Sequence, residues 1–311
     1  MTPGDAPQRR STVVWRFSDG KPGHDNQSRG LVHALAQRLP LQTFDIALAA
    51  RRTRWLDWPL RRCRNGAGLP TPDLLVGAGH ATHAALLACR RARGGRSVVM
   101  MRPSLPLACF DLCVIPEHDG VASGPHVFVT RGALNTVQPG PATREGYGLV
   151  LVGGPSSHYD WQLPPLLAQI EQILTSDARA WRIVTSRRTP AATEQAMREL
   201  AERTGHRVVL PGDTDRAWLP GQMAGAAVVW ITEDSVSMLY EALTSGAACG
   251  VLAVPTRRQG RVQAGVQQLI GQGIVTPFQA WRQGQALRPP VPPLDEAGRC
   301  AEYIVQRWFA R

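Results

Sequence analysis

The chain has 311 residues, 43% of them apolar and 19% charged, with a net charge of +11 at neutral pH. That composition excludes an intrinsically disordered protein, leaves room for two domains of ordinary size, and contains no apolar run near the roughly 20 residues that cross a bilayer. Nearly all the positive charge is arginine, Lys21 being the only lysine, and the resulting field draws anions such as nucleotides, nucleic acids or acidic lipid head groups.

The polar opening "MTPGDAPQRRS" lacks the apolar centre of a signal peptide, so a cytoplasmic protein is expected. The run "TVVWRF" reads as a strand, "SDGKPGHDNQSRG" (18–30) as a Gly/Pro loop, and a helix is expected near 26–38, followed by a strand at "LQTFDI". In "RRTRWLDWPLRRCR" (51–64), six arginines and one aspartate surround Trp55, Leu56, Trp58 and Leu60. Tryptophan flanked by cations is the composition of a membrane-interface segment; an Arg-rich surface loop with its tryptophans tucked into the core is the other reading. Next come "PDLLVGAGHATHAALLACRRA", with a strand near 73–77 and a helix near 81–92, then the strands "RSVVMM" and "DLCVIP".

The stretch "TVQPGPATREG" (136–146) has no periodicity and reads as a linker. The strand, loop and helix rhythm then restarts with "YGLVLVGGPSSHYDW", helices near 162–175 and 191–204 around "WRIVTSRRTP", then "HRVVLP", "AAVVWITEDSVSMLYEALTSG" and "AACGVLAVP". A terminal helix near 294–310 packs back on one domain or the other. Repeated βαβ units predict an α/β protein of two Rossmann-like, doubly wound parallel sheets, 1–138 and 139–293, with 294–311 returning. Two such halves are expected to share a cleft facing the carboxyl ends of their strands. The cysteines at 63, 89, 109, 113, 249 and 300 show no CxxC pair and no His at zinc-ligand spacing, so buried reduced thiols and no metal site are expected.

Four loops precede helices: "DGKPGH", "GAGHATH", "GGPSSHY" and "TEDSVS". A helix start offers free N–H groups and a positive dipole end to phosphate. None of the four is a GxxxxGK[ST] or GxGxxG motif, which removes the best support for an ATPase or a dinucleotide enzyme. In the fourth, with Glu233 and Asp234, a helix capped by Thr232 or Asp234 and stopped by Gly246 carries Ser235 and Ser237, and Glu241 lies one turn beyond on the same face. Glu241 there either accepts both hydroxyls of a ribose or is a solvated helix residue. Gly154, Ser156 and Ser157 offer further diphosphate contacts, Arg187 or Arg188 a guanidinium fork, and His158 reads as a packing residue. In the first two loops Gly23, Asn26 and Gly79 line the site, and Lys21 is a point-charge contact. His24 is a candidate general base, since an imidazole is largely neutral near pH 7, with Asp19 and His80 as competitors.

The motifs "SDGKPGHDNQSRGL", "VGGPSSHYDW", "VTSRRTP" and "ITEDSVSMLYEALTSG", in this order, resemble the plant mitochondrial-fission factor (elongated-mitochondria) family and its bacterial members, from about residue 12 to about 260. The resemblance implies a GT-B glycosyltransferase fold. "EDSVSMLYEALTSG" is also similar to the donor-binding helix of the lipid-linked GlcNAc transferases of peptidoglycan synthesis, with Glu241 on their ribose-binding glutamate. "DGKPGHDNQSRGLVHAL" and "PDLLVGAGHATHAALLA" are similar to their two glycine loops, with His80 where those enzymes usually have glycine. These likenesses imply a glycosyltransferase that takes a nucleotide sugar and needs no cofactor or metal; if the segment 51–64 meets acidic lipid, a lipid-linked or membrane-borne acceptor at the inner face of a membrane is expected. The competing expectations are a scaffold at a membrane surface without turnover, as is implied by the resemblance to plant members that recruit a dynamin-related protein to mitochondria, and an isomerase like the UDP-sugar 2-epimerases. No RRM, KH or zinc-knuckle pattern supports a nucleic-acid partner.

Overall fold

In the computed structural model, which describes residues 10–48, 55–141, 144–176, 178–215, 217–257 and 260–310, the β-rich runs form two separate parallel sheets. The first contains β1 (Thr12–Ser18), β2 (Leu41–Ala47), β3 (Leu74–Ala78), β4 (Arg96–Met100), β5 (Leu112–Pro116) and β6 (Val127–Thr130), with α1 (Pro22–Ala36) and α2 (His83–Arg93) as crossovers. Its order is β2-β1-β3-β4-β5-β6, so connections leave β1 in opposite directions. The central strands are buried on both faces, which is why they read as continuous apolar runs. Alternate residues of β1 serve the two layers: Val14 packs with Leu31 and Leu35 of α1, while Trp15 and Phe17 pack with Leu86 of α2 and Phe110.

The second sheet contains β7 (Glu145–Val152), β8 (Trp181–Thr185), β9 (Arg207–Val209), β10 (Ala226–Thr232), β11 (Ala248–Leu252) and β12 (Thr276–Pro277). Its helices are α3 (Leu163–Ser176), α4 (Ala191–Thr204), α5 (Trp218–Gly225), α6 (Val236–Ser245), α7 (Arg261–Gly271) and α8 (Phe278–Arg282). The order β12-β11-β10-β7-β8-β9 again switches direction between neighbours, here β7 and β10. The expected α/β class with two doubly wound parallel sheets is what the chain forms.

The chain divides into two compact units, Met1–Thr136 with Glu296–Arg311, and Val137–Asp295. The terminal helix α9 (Glu296–Trp308) therefore returns to the first unit, where Ala297, Cys300, Ala301 and Ile304 join the layer containing Leu31 and Phe128. Its Glu296 carboxylate accepts the Arg131 amide at 3.0 Å.

The expectation of six reduced cysteines is corrected: Cys63 and Cys89 form a disulfide, 26 residues apart, with a Cα–Cα distance of 4.5 Å. No short spacing motif announces it, because the partners meet only when the segment after Trp55 folds over α2. The other four are free, and burial pushes the Cys113 and Cys249 thiols up to about 12.

Candidate functional site

In the first unit, helix α1 starts at Pro22, not near residue 26, because proline's fixed φ suits the first helical position and its missing N–H costs nothing there. The expected loop shrinks to Asp19, Gly20 and the N-cap residue Lys21, and His24 and Asn26 stand in the first turns of the helix. One Asp19 oxygen accepts the Lys21 amide at 3.2 Å, and the other lies 2.9 Å from His24 Nδ1. A carboxylate there can only accept, so Nδ1 carries a proton, and in the neutral form of the ring the lone pair is on Nε2. Asp19 thus orients His24. The Asp19 side chain is 6% exposed and that of His24 19%, so the dyad is sheltered yet reachable.

Gly79 has φ +78°, and a Cβ on it would fall 2.2 Å from His24 Cε1, so the imidazole rests on the backbone of the second loop. His80 is exposed, with Nδ1 3.1 Å from Ser104 Oγ. Burial first, then the charge of His80, push its neighbour His83 down to about 4, so His83 is a neutral core residue edge-on to Phe110. Lys21 and Gly23 are exposed, and Asn26 Oδ1 accepts the Thr136 hydroxyl at 2.9 Å. Asp25 and Ser28 of the same motif serve the fold: both bind the buried Arg16 guanidinium, at 2.8 and 3.0 Å, and Asp45 completes the set at 2.7 Å.

In the second unit, the loops after β7, β8 and β10 are laced together at the switch point. The Gly153 amide donates to Thr232 Oγ1 at 2.8 Å and the Gly154 amide to Asp234 Oδ2 at 3.0 Å. Arg188 donates to the same Asp234 oxygen at 2.9 Å and to the Gly154 carbonyl at 2.9 Å. A Cβ on Gly154 would lie 2.1 Å from the Arg188 carbonyl oxygen, so this glycine answers to packing between loops. Thr189, unremarked in the sequence, donates to the Val152 carbonyl at 3.1 Å and accepts the Ser186 amide at 2.8 Å.

The expected cap is corrected. Helix α6 begins at Val236 with Ser235 as N-cap residue and no side-chain capping bond. Thr232 and Asp234 do not cap it because their oxygens hold the Gly153 and Gly154 amides. Ser235 is buried, Ser237 exposed, and Glu241 half-buried one turn along. Burial lifts the Glu233 carboxyl, partly offset by a hydrogen bond from the Val254 backbone. Tyr159 is buried, its hydroxyl has no hydrogen-bond partner among the described residues, and burial with the Glu233 and Asp234 charges pushes it up to about 12. Its place beside two acids was hidden in the sequence, since the partners lie over 70 residues away. Ser156 Oγ accepts the His158 amide at 3.3 Å, and Ser157 is exposed. His158 is exposed too, which corrects its reading as a packing residue. Arg187 is exposed and makes no ion pair among the described residues.

Among the described residues, no three His, Cys, Asp or Glu side chains are placed to hold a metal ion, and no helix is long and apolar enough to cross a membrane. The family model described as "Mitochondrial fission ELM1" matches residues 22–308. No curated protein matches the chain. Among solved structures it is similar to MurG of Acinetobacter baumannii (12% identity, 96% of this chain and 99% of that one, TM-score 0.53). It is also similar to the UDP-GlcNAc 2-epimerase of Methanocaldococcus jannaschii (10%, 96% and 100%, 0.54). A third is the Neisseria meningitidis UDP-GlcNAc 2-epimerase bound to UDP-GlcNAc (12%, 96% and 99%, 0.51). At such identities the likeness shows the fold, which is GT-B.

Proposed function

We propose that this chain, which belongs to the mitochondrial fission ELM1 family, is a glycosyltransferase that binds a nucleotide-diphosphate sugar at the carboxyl edge of its second sheet. The observation that carries the reading is the meeting of the β7 and β10 loops with the start of α6 at the topological switch point, where sheets of this kind take their ligands. The diphosphate would lie at the first turn of α6, against the Ser237 hydroxyl and the Arg187 guanidinium, with Ser156 and Ser157 on the other side. Glu241 would accept the ribose hydroxyls. Glu233, Asp234, Ser235, Gly154 and Arg188 shape the loops behind the ligand, since the Asp234 carboxylate and the Arg188 guanidinium already bind each other.

As the sugar leaves, charge grows on the departing diphosphate, and the helix dipole with Arg187 stabilises it without a metal. His24, held by Asp19, takes the proton of the acceptor hydroxyl at Nε2. Gly23, Asn26, Gly79 and His80 line that side, and Lys21 faces solvent as the acceptor's charge contact. The acceptor is read as membrane-borne.

The test is a thermal-shift screen with UDP, GDP, CMP and ADP and their sugars, followed by product analysis. Stabilisation by one nucleotide and transfer to an added acceptor are expected. Absence of any nucleotide effect contradicts the donor site, and sugar interconversion without acceptor contradicts transfer in favour of isomerisation.

A further inference from the structure

We infer that the surface formed by Trp55–Arg64 and the Arg91 side of α2 docks on the head-group layer of a membrane containing anionic phospholipid. Of the segment 51–64, residues 51–54 lie outside the described residues. In the remainder the tryptophans are not tucked into the core: Trp55 is 56% exposed, Leu56 65%, Trp58 44% and Leu60 54%. These are four of the five exposed large apolar residues among those described, within six consecutive positions. Such a concentration marks an interaction surface, whereas single exposed apolar residues do not.

The charges around it decide what it meets. Asp57 is buried and paired with Arg64 at 3.1 Å, and Asp111 is held by Arg90 at 2.8 Å and Arg96 at 3.5 Å. Arg61 and Arg62 are exposed, Arg91 lies 4.7 Å from the Trp58 ring centroid, and none of the three has an acidic partner among the described residues. The unneutralised charge is therefore all positive, which opposes docking of a second copy of the same face and favours an anionic layer. Indole and leucine tips beside guanidinium groups suit the boundary between head groups and acyl chains. Beside Trp58 is a cavity of about 380 Å³, lined by Leu87, Arg90, Arg91, Ala108 and Cys109; it offers an apolar floor and cationic rim to one lipid phosphate. The Cys63–Cys89 disulfide ties the segment to α2 and keeps it displayed.

This deepens the membrane part of the reading above and does not depend on the donor site. The test is co-sedimentation of the full chain with vesicles of phosphatidylcholine alone or with about a third phosphatidylglycerol. Binding to the acidic vesicles only, weakened by salt, is expected. Arg61→Gln with Arg62→Gln should weaken it about 30-fold, and Trp55→Ser with Trp58→Ser should abolish it, with nucleotide-induced thermal shifts unchanged in both. No vesicle binding by the wild type, equal binding to neutral vesicles, or unaltered binding by both variants would overturn the inference. So would wild-type dimerisation that the tryptophan variant loses, since the face would then belong to a second copy.

Discussion

His24 Nδ1 lies 2.9 Å from an Asp19 oxygen, and the ring rests on Gly79, whose missing side chain makes the room. Two loops that are 55 residues apart in sequence thereby fix one imidazole with its Nε2 able to accept a proton. That geometry is the ground for the base role proposed for His24.

His24→Ala should lower turnover by about 10²-fold to 10⁴-fold while nucleotide-induced thermal shifts stay as in the wild type. Asp19→Asn removes the carboxylate charge and offers an amide donor that lets the ring take the other tautomer, and should lower turnover with little change in melting temperature. Gly79→Ala forces the ring away and should lower both. Steady-state kinetics beside melting curves separate the three.

Asp25 bears on acid stability. Burial opposes its ionisation, but hydrogen bonds from Ser18 and Arg16, with the Arg16 charge, outweigh burial and hold its carboxyl at about 2. A carboxyl depressed in the folded state stabilises the fold above its unfolded value and loses that contribution as pH falls toward the folded one. Stability on the order of 1 kcal/mol, after allowance for solvent screening, should disappear between about pH 4 and pH 2. In Asp25→Asn that segment of the pH profile, followed by urea unfolding, should be shallower than in the wild type.

The Asp234 carboxylate is fully enclosed and is held by Arg188 and the Gly154 amide. Arg188→Ala leaves the carboxylate without its counter-charge and should destabilise the protein by about 2 kcal/mol, less than a wholly buried pair because the guanidinium is 44% exposed. Asp234→Asn in the same background should recover part of the loss, measured by urea denaturation.

The disulfide closes a loop of 26 residues, so Cys63→Ala with Cys89→Ala should cost about 3 kcal/mol. Thiol titration of the unfolded chain should find the four free cysteines before reduction and all six afterwards.

The parallel sheets were legible because buried strands such as "AAVVWIT" carry apolar side chains on both faces and end at glycine or polar turns. The start of α1 was not, because a Gly/Pro pair reads as loop even when proline opens the helix. Short elements such as β6, β12 and α8 have too few residues for a period to emerge. The residues of the candidate site were legible as types, yet their pairings were not. That Asp19 faces His24, that Asp234 faces Arg188, and that Cys63 faces Cys89 depend on where loops cross in space.

The central claim is tested most directly by isothermal titration of the wild type and Glu241→Ala with UDP and its sugars, extended to GDP, CMP and ADP. One nucleoside diphosphate should bind the wild type in the micromolar range, and Glu241→Ala, which removes the acceptor of the ribose hydroxyls, should weaken it at least about tenfold. A wild-type protein that binds none of them would contradict the account.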